Sequence, residues 1–163
     1  MPRKKDAIEE IASVIEKLRC GLYLLASSDG KRSSCCPVAW VSRASFRPPL
    51  MAVFLHPKRY TYEIILNSKS FSLAILGRKG IELARKMGSV SGREVDKLSQ
   101  VKWRKGVTGA PIIEDGSVGY IDCKLEASFP AGDHVCLLGK VIEAKISSKE
   151  KPILYDPKDF YPL

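Results

Sequence analysis

Side chains suited to chemistry gather in three places along the chain. The first is Ser33 to Thr61, which reads S-S-C-C-P-V-A-W-V-S-R-A-S-F-R-P-P-L-M-A-V-F-L-H-P-K-R-Y-T. It predicts two apolar strands joined by a proline-rich corner, then a turn that opens a helix with basic and hydroxyl residues. Such a run can hold a flat, phosphate-bearing ligand, with backbone along the flat part. Arg59, Tyr60 and Thr61 sit at the expected helix start, where unpaired N–H groups and the helix dipole favour an anion. Arg59 adds a charge-assisted bond worth about 1.5–3 kcal/mol. The second place is Ser91, Gly92 and Arg93, with Lys97 one turn further on. It reads either as another anion site or as a simple capping box, serine followed three residues later by Glu94. The third is His134, which follows the Gly132-Asp133 turn. His56 is the only other histidine and no carboxylate cluster is evident, so a metal role is disfavoured.

Positioning these groups requires elements that the periodicity outlines. Ile8, Ile11, Ala12, Ile15 and Leu18 recur at helical spacing and predict an amphipathic packing helix over 6–19. Leu22 to Ala26 is an apolar strand, and Ser28-Asp29-Gly30 is turn chemistry. A return strand is expected from Ser34 to Ser42, interrupted at Pro37, which cannot donate to a ladder and favours an edge or bulge. Leu50 to Leu55 is apolar throughout and reads as a strand buried on both faces. A helix should run from Pro57 to about Leu66. Ser70 to Leu76 alternates as a strand, Gly80 to Met87 is a short helix, and another short helix should start at Ser91. Residues 102–116 look like loop. Ile121, Cys123, Leu125, Ala127 and Phe129 alternate with polar residues, and the turn at 130–133 leads into a last strand, Val135 to Ile146. The tail from Pro152 to Leu163 should wrap the surface.

Length and composition narrow the classes. With 163 residues, 45% hydrophobic and 28% charged, the chain fits a single globular domain, 1–163. No apolar run approaches the roughly 20 residues of a membrane span. The basic Met1-Pro2-Arg3 start leads into acidic helix rather than an apolar segment, so no secretory signal is expected. Five cysteines, an odd number without a Cys-x-x-Cys pair, predict free thiols in a reducing cytoplasm. The net charge of +9 suits an anionic ligand as well as a nucleic acid. Nucleic-acid binding is disfavoured, because Trp40, Phe46 and Trp103 are scattered rather than grouped for base stacking.

About six strands in hairpin order suggest a mainly β fold, an antiparallel β-barrel with short flanking helices and an N-terminal helix. No Gly-x-Gly-x-x-Gly follows a strand, which disfavours a doubly wound dinucleotide fold. The order of features resembles the flavin reductase-like family. The matching pieces are Gly21-Leu22-Tyr23, Cys36-Pro37-Val38-Ala39-Trp40-Val41-Ser42 and Ser45-Phe46-Arg47-Pro48-Pro49-Leu50. Lys58-Arg59-Tyr60-Thr61, Ser91 to Lys97, Gly132-Asp133-His134 and Gly139-Lys140-Val141 complete the set.

The resemblance implies a six-stranded split barrel with Greek-key order. It also implies a homodimer with FMN near the interface, NADH or NADPH as electron donor, and a small-molecule or protein acceptor. On that pattern Val38, Ala39, Trp40, Val41, Ser42 and Ser45 would meet the flavin edge. Arg59, Tyr60 and Thr61, together with Ser91, Gly92, Arg93 and Lys97, would meet the phosphate. His134 would lie near the flavin and its electron partner, where positioning or charge compensation suits it better than proton transfer. Two positions depart from the family pattern: Pro37 stands where threonine is common, and Ala39 where a small hydroxyl residue precedes the tryptophan. An FMN-binding electron-transfer or sensor module without nicotinamide turnover is the alternative reading.

Overall fold

The computed structural model describes residues 4–160; Met1-Pro2-Arg3 and the last three tail residues lie outside them. The backbone runs α1 (Lys4–Ile15), β1 (Tyr23–Ser28), β2 (Ser33–Val38), β3 (Val41–Ser45), β4 (Leu50–Leu55), α2 (Tyr60–Ser68), β5 (Ser70–Leu76) and α3 (Gly80–Ser89). A small hairpin follows, β6 (Trp103–Lys105) and β7 (Pro111–Ile113). Two long strands, β8 (Ser117–Ala131) and β9 (His134–Ile146), complete it. Seven strands form one antiparallel sheet in the order β2-β1-β5-β8-β9-β4-β3.

The two edges of that sheet, β2 and β3, are joined by Ala39 and Trp40 alone. Three Cα steps span at most about 11 Å. The sheet therefore has to curl until its edges approach at this point. Among the described residues no ladder joins the two edges, so the expected six-stranded barrel is corrected to an open, curled sheet of seven strands. The extra strand arises because the expected return strand is cut in two. The cut is not at Pro37, which sits in register opposite Leu24 on the edge strand β2. It falls at a tight turn in which Val41 N–H donates to Ala39 O at 3.0 Å, while Phe54 N–H donates to Trp40 O at 2.9 Å.

Two apolar clusters hold the sheet from either side. Leu24, Leu76, Met87 and Ile113 pack with α3 on one face. Leu25, Val53, Ile65, Phe71 and Leu137 fill the other. Leu24 and Leu25 fall in different clusters because successive strand residues face opposite ways. The same alternation separates Cys35 from Cys36, one in each cluster. All five thiols are free, and burial pushes those of Cys35 and Cys123 up to about 12. Gly139 must lack a side chain, since a Cβ there would press on the Phe71 ring and stand 2.9 Å from Cys123 Cβ.

Other expectations shift for local reasons. Strand β4 is not buried on both faces: Val53 and Leu55 enter the core, whereas Leu50, Met51, Ala52 and Phe54 stay partly open. The helix expected at Ser91 does not form. Ser91 Oγ accepts from Arg93 N rather than from Glu94 N, and the Ser91 carbonyl takes both Glu94 N and Val95 N, closing a single turn. Residues 102–116 hold the β6–β7 hairpin rather than loop alone, pinned by Asp122, which accepts from Thr108 N at 3.0 Å and from its hydroxyl. Helix α1 ends at Ile15, not at residue 19, and it is not packed as expected. Ile8, Ile11, Val14 and Ile15 are each more than half exposed.

Candidate functional site

Two cavities adjoin, and three segments build the smaller. Strand β2 contributes Ser34 and Cys36; the entry to α2 contributes Lys58, Arg59, Tyr60 and Thr61. The chain leaving α3 brings Ser91, Gly92, Arg93 and Lys97 to the same space of about 270 Å³. The two stretches that look like anion sites in the sequence thus converge on a single cavity.

Its geometry suits a compact anion. Arg59 occupies the N-cap position of α2 with extended backbone and no side-chain cap bond, so its guanidinium is not engaged at the helix end. No carboxylate among the described residues pairs with it. Arg93 differs: it is tied to Glu63, donates to Lys58 O at 3.2 Å and stands 5.1 Å from the Tyr60 ring centroid. Arg93 therefore shapes the wall, while Arg59 carries free charge. Lys97 is only 4% exposed and donates to Met87 O at 2.6 Å and Cys35 O at 3.0 Å. Burial pulls its pKa down from the ordinary lysine value, and the neighbouring thiols partly oppose that.

Two features of the cavity point to a ligand. Ser34 is 1% exposed, yet its Oγ has no hydrogen-bond partner. A buried hydroxyl left unpaired costs about 1–3 kcal/mol, which a bound acceptor would recover. Gly92 makes room for that acceptor, since a Cβ there would collide with Ser34 Oγ and come within 2.8 Å of the Tyr60 ring. A phosphate needs several donors, one free cation and a helix N-terminus, and this set supplies them.

The larger cavity, about 830 Å³, shares Arg59, Gly88 and Ser89 with the smaller. Val38, Ala39 and Trp40 form one side, Phe54 and His56 another, and the tail closes it with Tyr155 and Phe160, whose ring centroids lie 5.4 Å apart. Arg85 fastens that tail by pairing with Asp159 at 3.1 Å. His134 faces the cavity between Trp40, at 4.7 Å between ring centroids, and His56, at 5.5 Å and 77°. Its Nδ1 meets Asp133 Oδ1 at 2.7 Å, and this contact holds the Asp133 carboxyl below the usual carboxylate range.

Of the residues singled out in the sequence, Val38, Ala39, Trp40, Arg59 and His134 line the larger cavity. Arg59, Tyr60, Thr61, Ser91, Gly92, Arg93 and Lys97 line the smaller. Val41, Ser42 and Ser45 are not brought to either. They lie on β3 beyond the turn, where Ser42 Oγ donates to Arg43 O at 3.1 Å. Sequence reasoning missed Ser34, which no motif marks, and His56, which looks like punctuation before Pro57. The β4–β9 register pairs Leu55 with Val135, so the next step places His56 beside His134. That signal exists only once the pairing is known. Among the described residues no group of three or more His, Cys, Asp or Glu is arranged to hold a metal. None of their helices is long and apolar enough to cross a membrane.

Three comparisons bear on this geometry. The family model for the flavin reductase like domain matches residues 16–163. The FMN-binding protein from Thermus thermophilus, solved with bound 1-cyclohex-2-enone, superposes with a TM-score of 0.79 at 29% identity, covering 88% of this chain and 85% of that one. A flavin reductase of Pseudomonas putida is 30% identical over 78% of this chain and 72% of its own length. The high molecular weight rubredoxin of Moorella thermoacetica is 27% identical over 86% of this chain, which spans only 62% of that relative.

Proposed function

The chain belongs to the flavin reductase like family, and from that membership we propose that it binds FMN and oxidises NADH or NADPH, passing the electrons to a small-molecule or protein acceptor. The observation that carries this reading is the convergence of Arg59–Thr61 and Ser91–Lys97 on one cavity containing the unpartnered Ser34 hydroxyl. Bound FMN supplies the redox chemistry itself, a ring that takes up hydride and releases electrons.

The protein's part is binding, orientation and exclusion of water. Arg59, the N-terminus of α2 and Ser34 hold the phosphate; Gly92 leaves space for it. The larger cavity, which shares Arg59, Gly88 and Ser89 with the smaller, would hold the ring. Trp40, Phe54 and the Tyr155–Phe160 strap line that cavity and would exclude water from it. Asp133 fixes the orientation of His134 at the cavity wall. The Thermus relative's cyclohexenone supports a cavity that admits a small organic molecule.

Flavin absorbance should survive desalting after FMN is added, and steady-state oxidation of NADH or NADPH should follow. Retained flavin without turnover by either nucleotide would instead select the electron-transfer or sensor module. Loss of all flavin on desalting, with FMN fluorescence unchanged on titration, would end the FMN reading.

The curled sheet is read as the split form of a Greek-key barrel, completed by a second copy of the chain. The exposed Ile8, Ile11, Val14 and Ile15 of α1 support such a covering partner. With free thiols throughout, the reading places the protein in the cytoplasm. Sedimentation at micromolar concentration is expected to give twice the 18.0 kDa chain mass. A monomer there contradicts the dimer.

A further inference from the structure

The β6–β7 hairpin carries a free sheet edge that lies outside both cavities. Glu114 N–H donates to Lys102 O at 2.9 Å, and Gly106 N–H donates to Ala110 O at 2.8 Å. Hydrogen-bonded pairs recur at every second residue of an antiparallel ladder, so Arg104 and Ile112 form the pair between them. Trp103 and Lys105 therefore turn their own N–H and C=O groups away from β7. No backbone bond from elsewhere among the described residues reaches these groups. Strand β6 pairs only with β7 there, so two donors and two acceptors stand open in a row.

The side chains along that edge suit a binding surface. Trp103 is 42% exposed and lines neither cavity, and Val107 beyond it is 67% exposed. Tryptophan and arginine are enriched among the residues that dominate protein interfaces. Lys102 and Arg104 project from one face of β6, at 3.3 and 3.7 Å from the single carboxylate of Glu114. Arg104 also lies over the Tyr120 ring at 4.8 Å. Trp103 and the exposed Lys105 project from the other face, and no carboxylate among the described residues pairs with Lys105. The other acid at the hairpin, Asp115, accepts from Lys102 N–H at 2.7 Å. Both carboxylates are thus engaged, and Lys105 is left with a free charge.

We propose that β6 is a docking edge for an extended acidic segment of a partner protein, which adds to it as a third strand. The backbone of the added strand pairs with the open N–H and C=O groups of Trp103 and Lys105. Its residues opposite those two lie on one face, so an apolar side chain meets the indole and a carboxylate meets the ammonium. A second copy of this chain does not suit the edge, because its own β6 would set lysine and arginine against lysine and arginine. The cations that repel a like strand select an acidic one.

The docking edge is independent of the flavin reading, and its test needs no turnover. The whole protein, with FMN added and without, is titrated with the end-blocked peptide Thr-Val-Thr-Glu-Thr-Glu. One comparison peptide has lysine in place of both glutamates. Another carries N-methyl groups on valine and both glutamates, which removes the donors that pair with the edge. Backbone NMR follows the contact. With the acidic peptide, the amide signals of Trp103 and Lys105 should shift and their hydrogen exchange should slow. The lysine peptide is expected to bind at least about fivefold more weakly. The N-methylated peptide should leave both amides unprotected. Lys105→Glu, a change at an exposed side chain, should reverse the preference in favour of the lysine peptide.

Unslowed exchange of both amides at millimolar acidic peptide overturns the proposal. Equal affinity for the acidic and lysine peptides overturns it as well. So does an oligothymidylate that binds these residues more tightly than the peptide, with affinity falling steeply in salt, since that assigns the surface to single-stranded nucleic acid.

Discussion

Replacing Arg59 by alanine is expected to weaken FMN binding by about ten- to a hundredfold while changing riboflavin binding by no more than about threefold. The two ligands differ only in the phosphate, so their ratio isolates the contribution of the anion cavity. Arg59 and Lys58 are its charged side chains without a counter-charge or buried acceptor among the described residues, and Arg59 is the one at the α2 N-cap. Arg93 is committed to Glu63 and Lys97 to two backbone carbonyls. A guanidinium meeting a phosphate gains a charge-assisted bond of about 1.5–3 kcal/mol, which sets the expected range. Fluorescence titration with both flavins checks it. An equal loss for FMN and riboflavin would show that Arg59 serves the ring rather than the phosphate. The position is exposed at a helix start, so stability should barely change.

The largest effect on stability is expected from Asp122→Ala, which should cost about 3 kcal/mol and lower Tm by roughly 6–12 °C. Asp122 is fully buried and accepts both the backbone N–H and the hydroxyl of Thr108. The turn is closed directly on it, since a Cβ on Gly106 would stand 2.6 Å from Asp122 Oδ2. Truncation leaves a backbone N–H without its partner and loosens the hairpin whose Ile112 and Ile113 are buried. Urea unfolding should show a lower midpoint at unchanged slope. Asp122 lines neither cavity, so FMN affinity per folded molecule should hold. A midpoint shift equivalent to less than about 1 kcal/mol would mean that the hairpin is held by apolar contact alone. Arg59→Ala and Asp122→Ala therefore separate binding from folding.

Much of the fold was legible because it is local. The alternation at Ile121, Cys123 and Leu125, and the turn before His134, correctly marked a long hairpin. Pro37 correctly marked an edge strand. The short β6–β7 hairpin was not legible, because three-residue strands carry no period to read; their stability comes from Asp122, nine residues beyond Ile113. The exposed face of α1 was misread because amphipathic spacing says that a helix has an apolar side, not that this chain covers it. The break at Ala39-Trp40 was likewise hidden, since it arises from the curl that brings β2 and β3 together.

The candidate site divides in the same way. By itself, the sequence determined the residue types for an anion at Arg59–Thr61 and at Ser91–Lys97, and a histidine after a Gly-Asp turn. It also determined that Cys35 and Cys36 face opposite ways, because side chains alternate along any strand. Only the tertiary structure decided that the two anion stretches share one cavity, that Ser34 lies there unpartnered, and that His56 stands beside His134. Those facts depend on which strands pair and in what register. A period of two or of 3.6 residues encodes the face a side chain takes, but not the distant segment that face will meet.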